Sequence, residues 1–168
     1  RAKFVLIVQD PFTSFYDAEV VKHCADLIKG LGLTPVILPF KPNGKPQHVK
    51  GFLDRFARTA KSTAAFLNQV HQLNIPMLGV DASLVLCYRD EYTKALADKR
   101  GDFKVNTVQE WLTEYLAERQ EPLPQLHDEN SYVLLSHCTE KTALPASERQ
   151  WQAIYQAFNL QLKPTPVG

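Results

Sequence analysis

An open, mostly parallel α/β sheet flanked by helices is the architecture this sequence predicts, and three observations predict it. Short apolar runs rich in Val, Ile and Leu read as strands buried on both faces. Between them lie longer stretches whose apolar residues recur every three or four positions, the mark of amphipathic helices. Their alternation is the signature of parallel strand–helix–strand units. Third, the pattern restarts: Tyr132-Val-Leu-Leu-Ser-His-Cys138 aligns without a gap on Phe4-Val-Leu-Ile-Val-Gln-Asp10, and a helix and a strand follow each. The chain therefore reads as tandem Rossmann-like repeats, the second truncated.

Taken in order, Lys3 to Gln9 is the first strand, ended by Asp10-Pro11. A helix begins near Asp17, with Asp17 or Ser14 as its cap. Its stripe is Val20, Val21, Cys24, Leu27, Ile28 and Leu31, and Gly30-Leu-Gly32 closes it. Pro35 to Phe40 is a second strand, and Lys41-Pro-Asn-Gly-Lys-Pro46 is a loop by its turn chemistry. One long helix is expected from about Gln47 to Leu73, with Val49, Phe52, Leu53, Phe56, Ala60, Thr63, Ala64, Leu67 and Val70 inward and Lys50, Arg55, Arg58 and Lys61 wet. Pro76 to Val80 is a third strand, ending on Asp81. A helix follows through Leu84, Tyr88, Tyr92, Ala95 and Leu96, then a brief strand at Lys104 to Asn106 and a helix through Val108, Trp111, Leu112, Tyr115 and Leu116.

The domain reading is a first repeat over 1–117, a polar, proline-containing linker over 118–130, and the start of a second repeat over 131–168. In that second repeat Trp151, Ile154, Tyr155 and Phe158 mark the helix, and Leu160 to Thr165 the next strand.

Composition narrows the function. The 168 residues carry 22% charged side chains and a formal net charge of +1, which predicts neither a nucleic-acid partner nor a charged membrane surface. The apolar run from Phe4 to Val8 is too short for a transmembrane segment. Three cysteines without a CxxC pair do not make a disulfide framework, and a cytoplasmic location is expected. The first residue is not Met and the one Met is internal, so either an excised piece of a longer polypeptide or a chain lacking its start is expected.

In open α/β sheets ligands collect at the carboxyl ends of strands. Those ends carry Asp10, Lys41 with Lys45, Asp81 and His137-Cys138, followed by Glu140 and Lys141. The competing explanation is that polar residues follow strands wherever a chain turns into solvent. Cys24 and Cys87 lie on apolar stripes and read as core. Cys138 ends a strand beside His137, where a ligand or reactive role stands against simple packing. One cysteine does not complete an iron–sulfur site, which takes about four thiolates. Gly30-Leu-Gly32 follows a helix and is not a dinucleotide fingerprint, and Lys41-Pro-Asn-Gly-Lys45 lacks the P-loop pattern. The latter reads either as a solvated turn or as two lysines and turn amides around an anion. Asp10 and Asp81 also invite comparison with a phospho-acceptor site, although the first strand lacks paired acids.

His-Cys-Thr-Glu-Lys-Thr-Ala-Leu-Pro145, with Leu-Lys-Pro-Thr-Pro-Val-Gly168 at the end, resembles the cysteine-rich CCG domain of iron–sulfur oxidoreductases. PFKPNGKPQHVKGFL and GVDASLVLCYRDEY are similar to the large fused FAD-binding/iron–sulfur oxidoreductases of the YdiJ type. The resemblance implies that Cys138 is the strand-end cluster ligand and that a Cys-Cys-Gly follows Gly168. The parent would then carry FAD and [4Fe-4S] centres and oxidise a D-2-hydroxy acid such as D-2-hydroxyglutarate or D-lactate. It further implies that this domain is not itself catalytic, that its partner is the remainder of the same polypeptide, and that the parent is a homo-oligomer. The domain would serve electron relay, pocket completion or docking, with Asp10, Lys41, Lys45, Asp81, His137, Glu140 and Lys141 at a pocket or interface. The alternative is a purely structural or oligomerisation domain with no ligand.

Overall fold

The computed structural model describes residues 3–9, 18–120, 123, 131–134, 143–158 and 160–164. The chain divides into two compact units, residues 1–107 and 108–168.

The first unit is built on a four-stranded parallel sheet. β1 (Phe4–Val8) lies between β2 (Thr34–Ile37) and β3 (Met77–Gly79), and the two-residue β4 (Asn106–Thr107) lies beyond β3. Leu6 stands opposite Val36 on one side and Met77 on the other. The central strand buries Val5, Leu6, Ile7 and Val8 alike, as its unbroken apolar run predicts.

Helix α1 (Ala18–Gly30) joins β1 to β2 and buries Val21, Cys24 and Ile28, a single stripe at helical spacing. Val20, expected inward, is exposed. Gly32 adopts φ +81°, and the amides of Gly32 and Leu33 close the helix on the carbonyls of Lys29 and Ile28.

The long helix expected from Gln47 to Leu73 is two helices, a short α2 (Lys45–Val49) and α3 (Leu53–His71). Gly51, at φ +79°, turns the chain between them. As a result Val49, Phe52 and Leu53, expected on the buried stripe, are exposed. Of the rest of the stripe, Phe56, Ala60, Thr63, Ala64 and Leu67 are buried as the periodicity predicts and Val70 is half-buried against the same core, while Lys50, Arg55, Arg58 and Lys61 are exposed.

After β3 the chain forms α4 (Ala82–Leu86), a π-helical turn (Cys87–Glu91), α5 (Tyr92–Leu96) and a 3-10 turn (Ala97–Arg100). Leu6 and Val8 belong to one core with α3, α4, α5, Phe103 and Val105. Val5 and Ile7 face the opposite side of the sheet, because strand side chains alternate. The right-handed crossover rule gives the same division: β1–α1–β2 runs one way along the sheet, whereas β2–α3–β3 and β3–α4–β4 run the other.

The second unit contains α6 (Val108–Glu118), β5 (Ser131–Leu134), α7 (Ser147–Ala157) and β6 (Gln161–Pro164). β5 and β6 pair in parallel from Ser131–Gln161 to Leu134–Pro164. This is the same strand–helix–strand unit as β1–α1–β2, as the sequence restart predicts. Within the unit α6 packs on α7, and the buried Gln109 amide donates to the Ser147 hydroxyl at 3.0 Å. Helix α6 groups with this later unit, whereas the sequence places it at the end of the first repeat.

Candidate functional site

Sheet order places the crevice before any side chain is considered. The connection after β1 leads to one face of the sheet and that after β3 to the other, so the strands part between them at their carboxyl ends. Gln9, buried directly after β1, and Asp81, two residues after β3, are the described polar residues there. Asp81 is committed locally: its carboxylate accepts from the Ser83 amide at 2.9 Å and the Ser83 hydroxyl at 3.0 Å, capping α4. Gly79 lets α4 approach closely, since a Cβ there would lie 2.6 Å from Val85 Cγ2. The Asp81 side chain thus acts as a helix start, which argues against the phospho-acceptor comparison for this residue.

The Lys41–Lys45 loop is not the solvated turn that its composition allows. Asn43 is 6% exposed and accepts two hydrogen bonds. The Asn43 carbonyl accepts from the Tyr92 hydroxyl at 2.7 Å, and its side-chain oxygen accepts from the Lys45 amide at 2.9 Å. The neighbouring Pro42 carbonyl accepts from the Thr63 hydroxyl at 2.7 Å. Thr63 is therefore on the α3 stripe for its hydroxyl as much as for its methyl. Gly44 has φ +85°, and a Cβ there would lie 2.8 Å from Phe56 Cδ2. Beneath the loop Phe56, Tyr88, Tyr92 and Phe103 form edge-to-face contacts, with His48 against Phe56.

The two lysines of this loop take different partners. Lys45 Nζ makes an ion pair and hydrogen bond with Glu91 Oε1, the last residue of the π-helical turn. Lys41 Nζ lies 5.2 Å from the centre of the Phe66 ring. Ten residues of helix separate Asp81 from Glu91, a rise of roughly 15 Å. The structure therefore does not bring Asp81 and Lys45 to one site; it places Asp81 at the crevice and Lys45 well along the helix. Asp10, His137, Cys138, Glu140 and Lys141 lie outside the described residues.

Sequence reasoning did not single out Asn43, Thr63, Tyr92 or Glu91 as the residues that fix the loop. The one signal in the sequence was the Arg89-Asp-Glu-Tyr92 stretch. Arg89 in it reaches the Val105 carbonyl at 3.2 Å and Asn106 Oδ1 at 3.4 Å, tying the π-helical turn to the approach of β4. Arg100 braces the same segment. Its Nε donates to the Tyr88 carbonyl at 2.7 Å, and its guanidinium lies 4.0 Å from the centre of the Phe103 ring. Burial, then the charge of Arg89, lower the pKa of its guanidinium from the ordinary arginine value, and Asp102 opposes them.

The described residues do not fit an iron–sulfur cluster or a metal ion. Among them no three His, Cys, Asp or Glu side chains converge on one point. Cys24 and Cys87 are both buried, as their apolar stripes predict. Burial pushes the Cys24 thiol up to about 11, the opposite of what a thiolate ligand needs. No helix among the described residues is long and apolar enough to cross a membrane.

Comparison with known proteins gives the chain its context. No family model matches it. It is 55% identical over 168 residues to a D-2-hydroxyglutarate dehydrogenase of Pantoea ananatis. Identity is 52% over 168 residues to one of Escherichia coli and 48% over 169 residues to one of Haemophilus influenzae. These alignments cover 100%, 100% and 98% of this chain, but 16% of each relative. A solved structure of a hypothetical protein from Helicobacter pylori superposes with TM-score 0.59 at 12% identity, over 99% of this chain and 34% of that one, a likeness of fold alone. The chain thus has the fold the sequence predicts, and its sequence is similar from end to end to one segment of much longer dehydrogenases.

Proposed function

We propose that this chain is a non-catalytic α/β segment of a larger oxidoreductase of D-2-hydroxy acids, of the D-2-hydroxyglutarate or D-lactate class. The observation that carries the reading is the end-to-end similarity, 48–55% identical, to proteins named D-2-hydroxyglutarate dehydrogenase. Oxidation of a 2-hydroxy acid removes a hydride from C2 and a proton from the hydroxyl, leaving a 2-oxo acid. In the proposed parent, FAD would supply the hydride acceptor and [4Fe-4S] centres an onward path for electrons, both outside the described residues of this chain. Within this chain the tasks are relay, pocket completion or docking. Cys138, with His137 beside it, is the proposed cluster ligand. A homo-oligomeric parent is part of the same proposal.

A second reading, a purely structural or oligomerisation domain, is favoured by a specific observation. Every described titratable candidate is already committed within the fold: Asp81 to a helix cap, Lys45 to Glu91 and Lys41 to Phe66. Cys138→Ser in the complete polypeptide separates the readings. Loss of iron and acid-labile sulfide, with loss of D-2-hydroxyglutarate turnover, is expected for the relay. Unchanged iron and turnover would reject the ligand role. Deletion of the segment would then be expected to alter oligomeric state and leave the visible spectrum intact.

A further inference from the structure

The segment from Val36 to Leu53 combines features that do not fit a surface left in water. Ile37 is 48% exposed, Phe40 55%, Val49 73%, Phe52 48% and Leu53 60%. Scattered exposed hydrophobes are ordinary, but these five fall within seventeen residues of sequence. Nor is the segment loose. Thr63 and Tyr92 hold its carbonyls at Pro42 and Asn43. The Thr59 hydroxyl donates to Gln47 Oε1 at 2.8 Å, and the Phe52 amide donates to the Gln47 carbonyl at 2.9 Å. Apolar side chains held in place at the surface are preorganised for contact.

The edge of the sheet indicates which kind of contact. The amides of Thr34 and Leu38 donate inward, to Lys3 and Ile7 carbonyls of the β1 side. By alternation, positions 35, 37 and 39 face outward, and 35 and 39 are prolines with no N–H to offer. The outer edge of β2 is therefore poor at accepting another strand. What remains is side-chain packing. Charge narrows the partner further: beside Lys41 and the Glu91-paired Lys45, residues 41–61 expose Lys50, Arg55, Arg58 and Lys61 against one acid, Asp54.

We infer that the Ile37–Leu53 shoulder is the docking face for another part of the same polypeptide, one that presents an apolar patch edged by carboxylates and packs by side chains rather than by strand addition. The occupant follows from length: the relatives contain this segment as 16% of their chain, leaving ample sequence to supply such a surface. This rests on the reading that the chain belongs to a longer polypeptide of that kind.

The test uses the complete polypeptide with a photo-activatable phenylalanine analogue at Phe40 or Val49, and at the exposed Leu73 as control. Isotope-mixed protein distinguishes links within a chain from links between copies. The expected result is intrachain links from positions 40 and 49 to acidic–apolar sequence outside these 168 residues, several-fold above the yield at position 73. Paired Arg55→Glu and Arg58→Glu substitutions should lower that yield. Links to a second copy, links confined to these 168 residues, capture by anionic vesicles, or a yield no higher than at position 73 would each overturn the inference. Turnover measured on the same sample separates the two proposals: an active enzyme without these links rejects the docking face alone. Links without dehydrogenase activity keep it and reject the functional reading.

Discussion

The Tyr92 hydroxyl donates to the main-chain carbonyl of Asn43 at 2.7 Å, across 49 residues of sequence. This single bond ties the loop after β2 to the helical segment after β3. Tyr92→Phe keeps the ring contacts with Phe56 and Tyr88 but leaves a buried carbonyl without this donor. A loss of about 1–2 kcal/mol in unfolding free energy is expected, read by urea denaturation. Faster amide exchange at Lys45 should accompany it, because Asn43 also holds that amide.

Gly44 and Gly32 offer a controlled comparison. Both have positive φ, +85° and +81°, but an added Cβ meets Phe56 at Gly44 and open space at Gly32. Gly32→Ala should cost about 1 kcal/mol for the left-handed backbone alone. Gly44→Ala should cost more, by about 1–3 kcal/mol of overpacking against a buried ring. Equal losses in thermal or urea unfolding would show that Phe56 yields freely.

The Lys45–Glu91 pair is partly screened, with side-chain exposures of 38% and 16%. A double-mutant cycle with Lys45→Met and Glu91→Gln should give a coupling of about 1 kcal/mol or less. The coupling should shrink as salt rises. A coupling near zero at low salt would mean that the hydrogen bonds to Asn43 and Pro42 position the loop without the ion pair.

Cys24 makes stability depend on alkaline pH. Its thiol is raised from 9.0 to about 11 in the folded chain, by burial. The folded state therefore keeps the proton longer than the unfolded state does. The contribution is complete below pH 9 and is lost as pH rises through about 11. The decline assigned to this residue is of the order of 2 kcal/mol, and Cys24→Ala should remove it from the stability-versus-pH curve. Reaction of the native protein with a thiol reagent at pH 8 should be slow at both Cys24 and Cys87, since both are buried.

The sequence by itself determined the elements whose signal is local. The apolar run at Phe4–Val8 reads as a strand covered on both faces, and Val5 to Val8 are buried there, with Phe4 exposed at its start. The stripe of Phe56, Ala60, Ala64 and Leu67 set the inward face of α3, and the restart at Tyr132 announced a second parallel strand–helix–strand unit. Tertiary structure decided what depends on residues distant in sequence. A glycine at 51 permits a left-handed turn, but whether a helix continues through it depends on what its flanks can bury; here Val49, Phe52 and Leu53 stay outside. Lys41-Pro-Asn-Gly-Lys45 is polar enough to be a solvent turn, yet three partners from α3 and α5 hold it from below. Asp81 and Lys45 both lie on connections that follow strands, and the sequence could not show that a helix carries the partner of one well away from the other. Hydrophobic period reports which face of an element is wet. Hydrogen-bond partners tens of residues away are fixed only when the sheet order sets which connections become neighbours.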